Sequence, residues 1–304
     1  MRGKRANEPK PVRFRVVPSE EGMMLGHLIA RRLPNLDLEQ GRELVKAGAV
    51  YMGPIRIRVP TVRVVAGELI TVYPKALDDA PLPDDAVCFV HRDPSFVVLD
   101  KPPGVAVTAT KESARGTLSE ALRRTLEREG MVRPYVGVVH RLDRGASGLV
   151  LFTIRSIANQ SMHRQFVEHT IERTYRLLVR GDAPPSASCD TPLLLGRTGT
   201  VRAAPGDVRA KPARTEFTRL RATHPVPGTS LLEARLQTGR THQIRVHAQT
   251  LGHSIVGDRR YGDTELGDDD ARLHLHAYRL QFEHPLEHTP VDVRAELPEW
   301  AMND

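Results

Sequence analysis

Residues 12–73 combine two helical patterns with short strand-like runs. Apolar positions recur at helical spacing from Met24 to Leu33 and from Leu38 to Ala47, after which Gly48 can end the second helix. Short apolar runs broken by glycine and proline lie on either side of this pair and predict a small sheet. The pattern therefore predicts a small α/β module over residues 12–73.

From Cys88 onward, strand patterns outnumber helical ones. Strands are predicted near Cys88 and over 96–99, 135–139, 149–152, 173–179, 231–237, 273–282 and 291–297. Helices are predicted over 117–128 and 156–168 and from about 241 to Gly252. In the second of these, Ser156 is a candidate N-cap, and Ile157, Met162 and Phe166 are candidate core residues. Many strands with few helices indicate an α+β domain over residues 88–300.

Two polar segments flank the N-terminal module. Residues 1–11 carry four basic side chains and two prolines, and we expect a flexible basic tail there. Residues 74–87 are acidic, contain three prolines and show no periodicity, which indicates a linker. The tail could attract phosphates or be an ordinary solvated terminus.

Composition favours a globular protein with a polyanionic partner. Hydrophobic residues make up 40% of the 304 positions, and the formal net charge is +7. Such an excess of positive charge attracts nucleic acid, although many basic proteins bind nothing anionic. Cys88 and Cys189 are too few and too far apart for a disulfide framework. No run resembles a signal peptide or a membrane span, so we expect a cytoplasmic protein without a membrane partner.

The most informative stretch is Val138–Phe152, a polar turn between two apolar runs. Asp143 lies in this turn between Arg141 and Arg144, whose charges favour an ionised carboxylate that can act as nucleophile or base. An aspartate in such a turn can also simply bond its own backbone. A kinase catalytic loop is excluded, because Leu142 interrupts the His-Arg-Asp sequence that such a loop requires.

No metal or nucleotide-cofactor motif stands out. His242 and His247 are five residues apart, which does not place them on one helical face, and the chain has no His-Glu-x-x-His motif. The aspartate-rich segment 263–270 lacks the spacing of a calcium loop. No glycine-rich phosphate loop appears. We therefore expect neither a metal nor a cofactor.

Three motifs resemble those of the RluA-type pseudouridine synthases. His140-Arg-Leu-Asp143 followed by Ser147-Gly-Leu149 is similar to the signature of that family, Lys101-Pro-Pro-Gly104 to a second motif, and 238–247 to a third. The resemblance covers about residues 88–298. It implies a mixed, largely antiparallel sheet flanked by helices, and isomerisation of uridine to pseudouridine in RNA without metal or cofactor.

The resemblance also assigns residue roles. It implies that Asp143 is the catalytic carboxylate, that Tyr175 stacks on the uracil and helps to move a proton, and that Arg245 pairs with Asp143. Without the other motifs, Tyr175 would be a core residue. We assign the remaining polar residues of these motifs to substrate binding: Lys101, His140, Arg141, Arg144, Arg240 and His242.

The N-terminal pattern resembles the S-four-type RNA-binding module. Gly48-Ala-Val50 after the second helix and Val65–Ile70 at the end of the sheet carry this likeness. It implies that the helical pair presents basic residues to RNA phosphates, and the candidates are Arg31, Arg32, Arg42 and Lys46, although such residues often only solvate a helix face. We expect a monomer acting on ribosomal RNA, with transfer RNA as the alternative.

One departure from the family pattern lies beside Asp143. Family members usually have an acidic residue and then threonine where this chain has Gly145-Ala146, and we expect a looser turn as a result. Two other hypotheses stay open: a non-catalytic RNA-binding protein on the same fold, and an enzyme that removes the base and releases uracil.

Overall fold

A computed structural model describes residues 11–74, 80–109, 116–196, 199–221, 226–262 and 272–302. The chain forms two compact units, one comprising Met1–Asp84 and Thr108–Arg124 and the other comprising Asp85–Val107 and Thr125–Asp304. The predicted basic tail and the centre of the predicted linker lie outside the described residues. None of the helices in the described ranges is long and apolar enough to cross a membrane.

The N-terminal unit packs two helices on a four-stranded sheet. Its elements are β1 (Val12–Arg15), α1 (Leu25–Arg32), α2 (Leu38–Lys46), β2 (Val50–Met52), β3 (Ile55–Ile57) and β4 (Leu69–Val72), with strand order β1-β4-β2-β3. Helix α2 begins where the Asp37 carboxylate accepts the Gln40 amide, because this bond satisfies an otherwise free donor of the first turn. Helices and strands therefore occur where the apolar pattern predicts them.

The segment Thr108–Arg124 belongs to this first unit, although the sequence places it inside the predicted domain 88–300. It contains most of α3 (Leu118–Arg128). Arg124 donates from Nη2 to the Leu82 carbonyl at 2.7 Å, and the Ala109 carbonyl accepts from Arg56. These tertiary contacts have no periodic signature, so the pattern of apolar residues could not reveal them.

The second unit is built on a ten-stranded mixed sheet. Its strands are β5 (Cys88–Arg92), β6 (Phe96–Lys101), β7 (Gly137–Val138), β8 (Ser147–Thr153), β9 (Glu172–Arg180), β10 (Ser186–Cys189), β13 (Thr215–Arg221), β14 (Thr229–Leu236), β15 (Leu275–Glu283) and β16 (Pro290–Arg294). The order is β10-β13-β14-β9-β15-β8-β6-β5, with β16 beside β15 and β7 beside β8. Only β8 and β15 run parallel among these pairs. The prediction of a mixed, largely antiparallel sheet is therefore confirmed.

Shorter elements complete this unit. They are α4 (Ser156–Val167), α5 (Gln243–Thr250), and a separate hairpin of β11 (Leu193–Leu195) and β12 (Val201–Ala203). Two predictions for α4 are wrong: the N-cap is Arg155 rather than Ser156, and Ile157 is 66% exposed. Met162 is buried as predicted, because helical spacing places it with Ala158 on the inner face.

The parallel junction between β8 and β15 fixes the exit of the Asp143 turn. Gly148 at φ +102° pairs with Ala277, and a Cβ at this position would lie 2.3 Å from the Ala277 carbonyl oxygen. Only glycine combines this backbone conformation with such a close approach. Gly148 therefore anchors the turn to the sheet five residues after Asp143.

Candidate active site

Asp143 lies in a short, well-packed turn between β7 and β8. Its neighbours Leu142 and Ala146 are buried, while its own side chain is 19% exposed. The Ala146 amide donates to the Asp143 carbonyl at 3.2 Å. The buried Ala146 methyl and this bond hold the turn, so the looser turn expected from Gly145-Ala146 is not what the contacts describe.

The buried side chain of Lys101 stabilises this turn. Its ammonium is fully buried and donates to the carbonyls of Pro102, Val105 and Arg144 at 2.9–3.2 Å. Burial lowers the pKa of Lys101 to about 7, although Asp143 and Asp100 act in the opposite direction. Since all three contacts are to backbone, the side chain ties the Lys-Pro-Pro-Gly turn to the Asp143 turn.

Arg144 closes the same junction from the surface. Its Nε donates to the Gly104 carbonyl at 2.7 Å, and the Gly104 amide donates to the Arg144 carbonyl at 2.8 Å. The Arg144 side chain is exposed. It can therefore hold the two turns together and still offer its remaining guanidinium N–H groups to a ligand.

Arg245 on α5 links two carboxylates. Its Nη1 donates to Asp143 Oδ2 at 2.8 Å, while its Nε and Nη2 donate to the two oxygens of Asp258 at 2.7 Å. The predicted pairing of Asp143 with Arg245 is thus present in the structure, and it joins residues 102 positions apart. The bidentate fork on Asp258 fixes the guanidinium plane, so that the third donor points at Asp143.

Asp258 is a buried anchor that sequence reasoning missed. Its side chain is 1% exposed, and it also accepts the amides of Arg260 and Tyr261 at 3.0 Å. Burial is the largest influence and acts to raise the pKa of Asp258, but the hydrogen bond and charge of Arg245 together with the Tyr261 and Arg260 amides lower that pKa below its usual value. Burial likewise opposes the charge of Arg245, and the hydrogen bonds and charges of Asp258 and Asp143 raise the pKa of Arg245. Asp258 and Arg245 are therefore both ionised at neutral pH.

His242 faces the other oxygen of Asp143. Its Nε2 lies 3.8 Å from Asp143 Oδ1, and its Nδ1 lies 2.7 Å from the Tyr261 hydroxyl. That hydroxyl accepts the Val201 amide at 3.0 Å, and we assign its own proton to the bond with His242 Nδ1. With this assignment the ring proton is on Nε2, toward Asp143. Burial lowers the pKa of His242 although Asp143 acts to raise it, so the ring is neutral.

His140, predicted to bind substrate, has contacts of a structural kind. Its Nε2 accepts the Leu151 amide at 2.9 Å, and its ring stacks on Phe166 with centroids 4.9 Å apart. Burial lowers the pKa of His140 to about 3. These contacts give His140 the role of fixing the Asp143 turn on β8, and they do not support its predicted role in substrate binding.

Tyr175 lies in the middle of the sheet near Asp143. It sits on β9 between Ala234 of β14 and Ala277 of β15, and it is buried. Burial raises the pKa of the Tyr175 hydroxyl, Arg173 lowers it, and the charge of Asp143 raises it further. The hydroxyl therefore keeps its proton at neutral pH.

The two remaining candidates lie at the rim. Arg141 is exposed, and Arg240 donates from Nε to the Pro212 carbonyl at 3.0 Å on the surface. The described residues hold no group of three or more histidine, cysteine, aspartate or glutamate side chains that could ligate a metal ion. The site therefore consists of the half-buried Asp143 carboxylate near Arg245, Tyr175 and His242. Further arginines lie closer to the surface.

Comparison with known proteins decides which chemistry this arrangement serves. Residues 95–250 match the family model described as RNA pseudouridylate synthase. The chain belongs to this family. The matched residues include Lys101, Asp143, Tyr175 and Arg245, whereas Asp258 and Tyr261 lie just beyond them. The predicted family is confirmed, and the chain is an RNA pseudouridine synthase.

Individual relatives span nearly the whole chain. It is 32% identical to "Ribosomal large subunit pseudouridine synthase D" of Zymomonas mobilis, covering 91% of each protein. It is 30% identical to "Ribosomal large subunit pseudouridine synthase C" of Vibrio cholerae, covering 91% of this chain and 90% of the relative. The solved structure of "Human RNA Pseudouridylate Synthase Domain Containing 1" is 26% identical, with a TM-score of 0.60 over 72% of this chain and 87% of the other.

Proposed function

We propose that this enzyme isomerises specific uridines of large-subunit ribosomal RNA to pseudouridine, with Asp143 as the catalytic carboxylate. The contact that carries the proposal is the hydrogen bond from Arg245 to Asp143, which holds a partly exposed carboxylate near the buried Tyr175. The ribosomal substrate is supported by the names of the relatives from Zymomonas mobilis and Vibrio cholerae.

The reaction breaks the bond between ribose and the uracil nitrogen, rotates the base, and forms a bond from the ribose to a ring carbon. That carbon then loses its proton to solvent and the freed nitrogen takes one up. The reaction requires no net redox change and consumes no water. Asp143 must stay ionised and close to the nucleoside, and the hydrogen bond from Arg245 both favours the anion and fixes its rotamer. In this proposal Tyr175 stacks on the uracil and relays the proton at the new bond, its hydroxyl oxygen accepting the proton that leaves the ring carbon as the hydroxyl gives up its own.

The target uridine must leave its helix to reach Asp143. Extruding a base costs a few kcal/mol, which contacts to phosphates must offset. The exposed Arg141 and Arg144 and the half-buried Arg240, all at the edge of the site, are suited to such contacts. Lys101 and His140, which contact protein backbone, act in this proposal by positioning the Asp143 turn.

We further propose that the N-terminal unit is an S-four-type RNA-binding module. Its two helices and small sheet agree with that likeness. Among the predicted contacts, Arg31 is exposed, whereas Arg32 donates to the buried Glu20 at 2.7 and 2.9 Å and so stabilises the unit. Arg42 and Lys46 each lie within 4 Å of Glu39 on the surface and remain accessible to phosphates.

The function is tested by incubating the enzyme with transcripts of large-subunit ribosomal RNA and transfer RNA that carry tritium at the uracil carbon that becomes glycosidic. We expect tritium release from the ribosomal transcript without free uracil. Release from transfer RNA alone would replace the proposed substrate. Retention of RNA on a filter with no release from either pool would favour a binding protein, and free uracil would indicate a base-removing enzyme.

A further inference from the structure

Arg173 is a buried cation without a counter-ion. Arg173 is 7% exposed, and its Nε is buried and makes no hydrogen bond. Within the part of the chain that the structure describes, no carboxylate lies within ion-pair distance of its guanidinium. An unpaired buried charge is costly, and proteins normally pair such groups or place them where a ligand supplies the partner.

The surroundings of Arg173 shape a slot for its guanidinium. The group lies over the Phe166 ring, with 5.7 Å between its carbon and the ring centroid. On another side it lies against Gly239, where a Cβ would come within 2.5 Å of Nη1. Glycine at this position therefore lets the 238–240 loop close over the arginine, and this loop leads directly into α5, which carries Arg245.

The slot belongs to the candidate active site. Arg173 and Tyr175 are two residues apart on β9, so their side chains leave the same face of the sheet. The charge of Arg173 lowers the pKa of Tyr175 against the effect of burial, and the Asp143 charge acts on the same hydroxyl. Arg173 and Asp143 therefore both lie within electrostatic range of Tyr175.

The other charges near Arg173 add to its field. His169 is exposed, and its pKa is lowered first by desolvation and then by the charges of Arg173 and Arg240. Burial also lowers the pKa of the Arg173 guanidinium. Arg173 and Arg240 thus both lie within electrostatic range of His169, whereas Asp143 is engaged by Arg245. Such a cationic cluster favours an anion.

We propose that Arg173 binds a phosphate group of the RNA strand that carries the target uridine, with Arg240 and His169 beside it. The subsite rests on the proposed function, since an RNA strand must enter the site. Its occupant is a phosphodiester rather than the uracil itself, because the neutral base would leave the guanidinium uncompensated. The positive charge is retained for the substrate at a cost to the stability of the free enzyme.

The test compares Arg173→Met with Arg173→Lys. Methionine keeps much of the apolar volume and removes the charge, so we expect kcat/KM for tritium release from the ribosomal transcript to fall at least tenfold. The slope of log affinity against log salt should decrease by about 0.7 to 0.9, the loss of one phosphate contact. The Tm should be equal to or above that of the unmodified enzyme, because an uncompensated charge has been removed. Lysine should restore much of the affinity and the slope.

Arg176→Met provides a matched control on the same strand. Arg176 leaves the opposite face and pairs with Glu233 at 3.5 Å, so its removal should lower the Tm and leave the salt dependence unchanged. A lower Tm of Arg173→Met with unchanged kinetics would overturn the proposal in favour of a packing role. A loss of kcat with an unchanged salt slope would overturn it in favour of contact with the base. Failure of the proposed function is distinct, because the unmodified enzyme would then release no tritium.

Discussion

Removal of the Asp258 charge should disable the site without touching Asp143. Asp258→Asn keeps the shape of the side chain but replaces one oxygen of the fork by a donor that faces Arg245 in either orientation. Where the new donor replaces Oδ1, it also faces the amides of Arg260 and Tyr261. Arg245 then retains a single charged partner, Asp143. We expect the guanidinium to rotate away from its present plane and to carry the Asp143 carboxylate with it.

The expected size follows from the burial of the pair. Asp258 is 1% exposed and Arg245 12% exposed, and loss of one partner of a buried pair costs about 3–5 kcal/mol of unfolding free energy. Misplacement of a catalytic group by about 1 Å lowers the rate roughly a hundredfold. The variant should therefore be less stable, and its kcat should fall much more than its KM rises.

The assay is tritium release under single-turnover and steady-state conditions, at a temperature where melting curves show the variant to be folded. Asp292→Asn is the control, because Arg279 forms a similar bidentate fork with Asp292 on the surface. Exposed pairs contribute about 1 kcal/mol or less, so this control should retain both stability and kcat. An Asp258→Asn enzyme with unchanged kcat would refute the idea that Asp258 positions Asp143 through Arg245.

Two further predictions concern protons near the site. Tyr261→Phe removes the hydroxyl proton from His242 Nδ1, so the pKa of His242 should rise and the acid limb of the kcat/KM profile should move to higher pH; an unmoved limb would contradict the tautomer assigned to His242. Burial lowers the pKa of His276 to about 4, so between pH 6.5 and 4 the unfolded chain binds the extra proton and stability falls as the pH falls. In His276→Gln, the slope of the unfolding free energy against pH, taken from melting curves over this range, should be smaller by about 1.4 kcal/mol per pH unit. An equal slope in both proteins would exclude His276 as a source of the pH dependence.

Motifs revealed the centre of the site because their chemistry is local. Asp143 stands in a turn between two apolar runs, and Arg245 in a block that opens a helix, so the motifs indicate both residues although 102 positions separate them. The sequence does not predict Asp258 and Tyr261 as site residues, because they lie in a glycine-flanked loop without hydrophobic periodicity. The only available signal was an aspartate directly before two arginines, which by itself indicates a solvated turn.

Lys101 and His140 show why motif membership does not define a role. His140 lies three residues before Asp143 and Lys101 opens the separate Lys-Pro-Pro-Gly motif, and a polar residue of such a motif is expected to face solvent or substrate. The structure instead directs them to backbone groups, Lys101 to three carbonyls and His140 to the Leu151 amide. Which way a side chain turns at the end of a strand depends on tertiary packing, which the order of residues does not encode locally.

The sequence predicts the class of the sheet but not every strand in it. Strand β13 (Thr215–Arg221) was missed because it follows a basic, proline-containing segment and buries only Thr215 and Phe217 fully. Its alternation of buried and exposed positions was the available signal. The single parallel pair of β8 and β15 depends on the close approach at Gly148, a tertiary contact.

The most direct test of the account is tritium release by Asp143→Asn, measured beside the unmodified enzyme on the ribosomal transcript. Asparagine preserves the shape of the residue and can still accept a hydrogen bond from Arg245, so folding and RNA affinity should change little. We predict release from the unmodified enzyme and no detectable turnover by the variant, because the ionised carboxylate is gone. Turnover by Asp143→Asn at a rate near that of the unmodified enzyme would contradict the assignment of Asp143 as the catalytic residue.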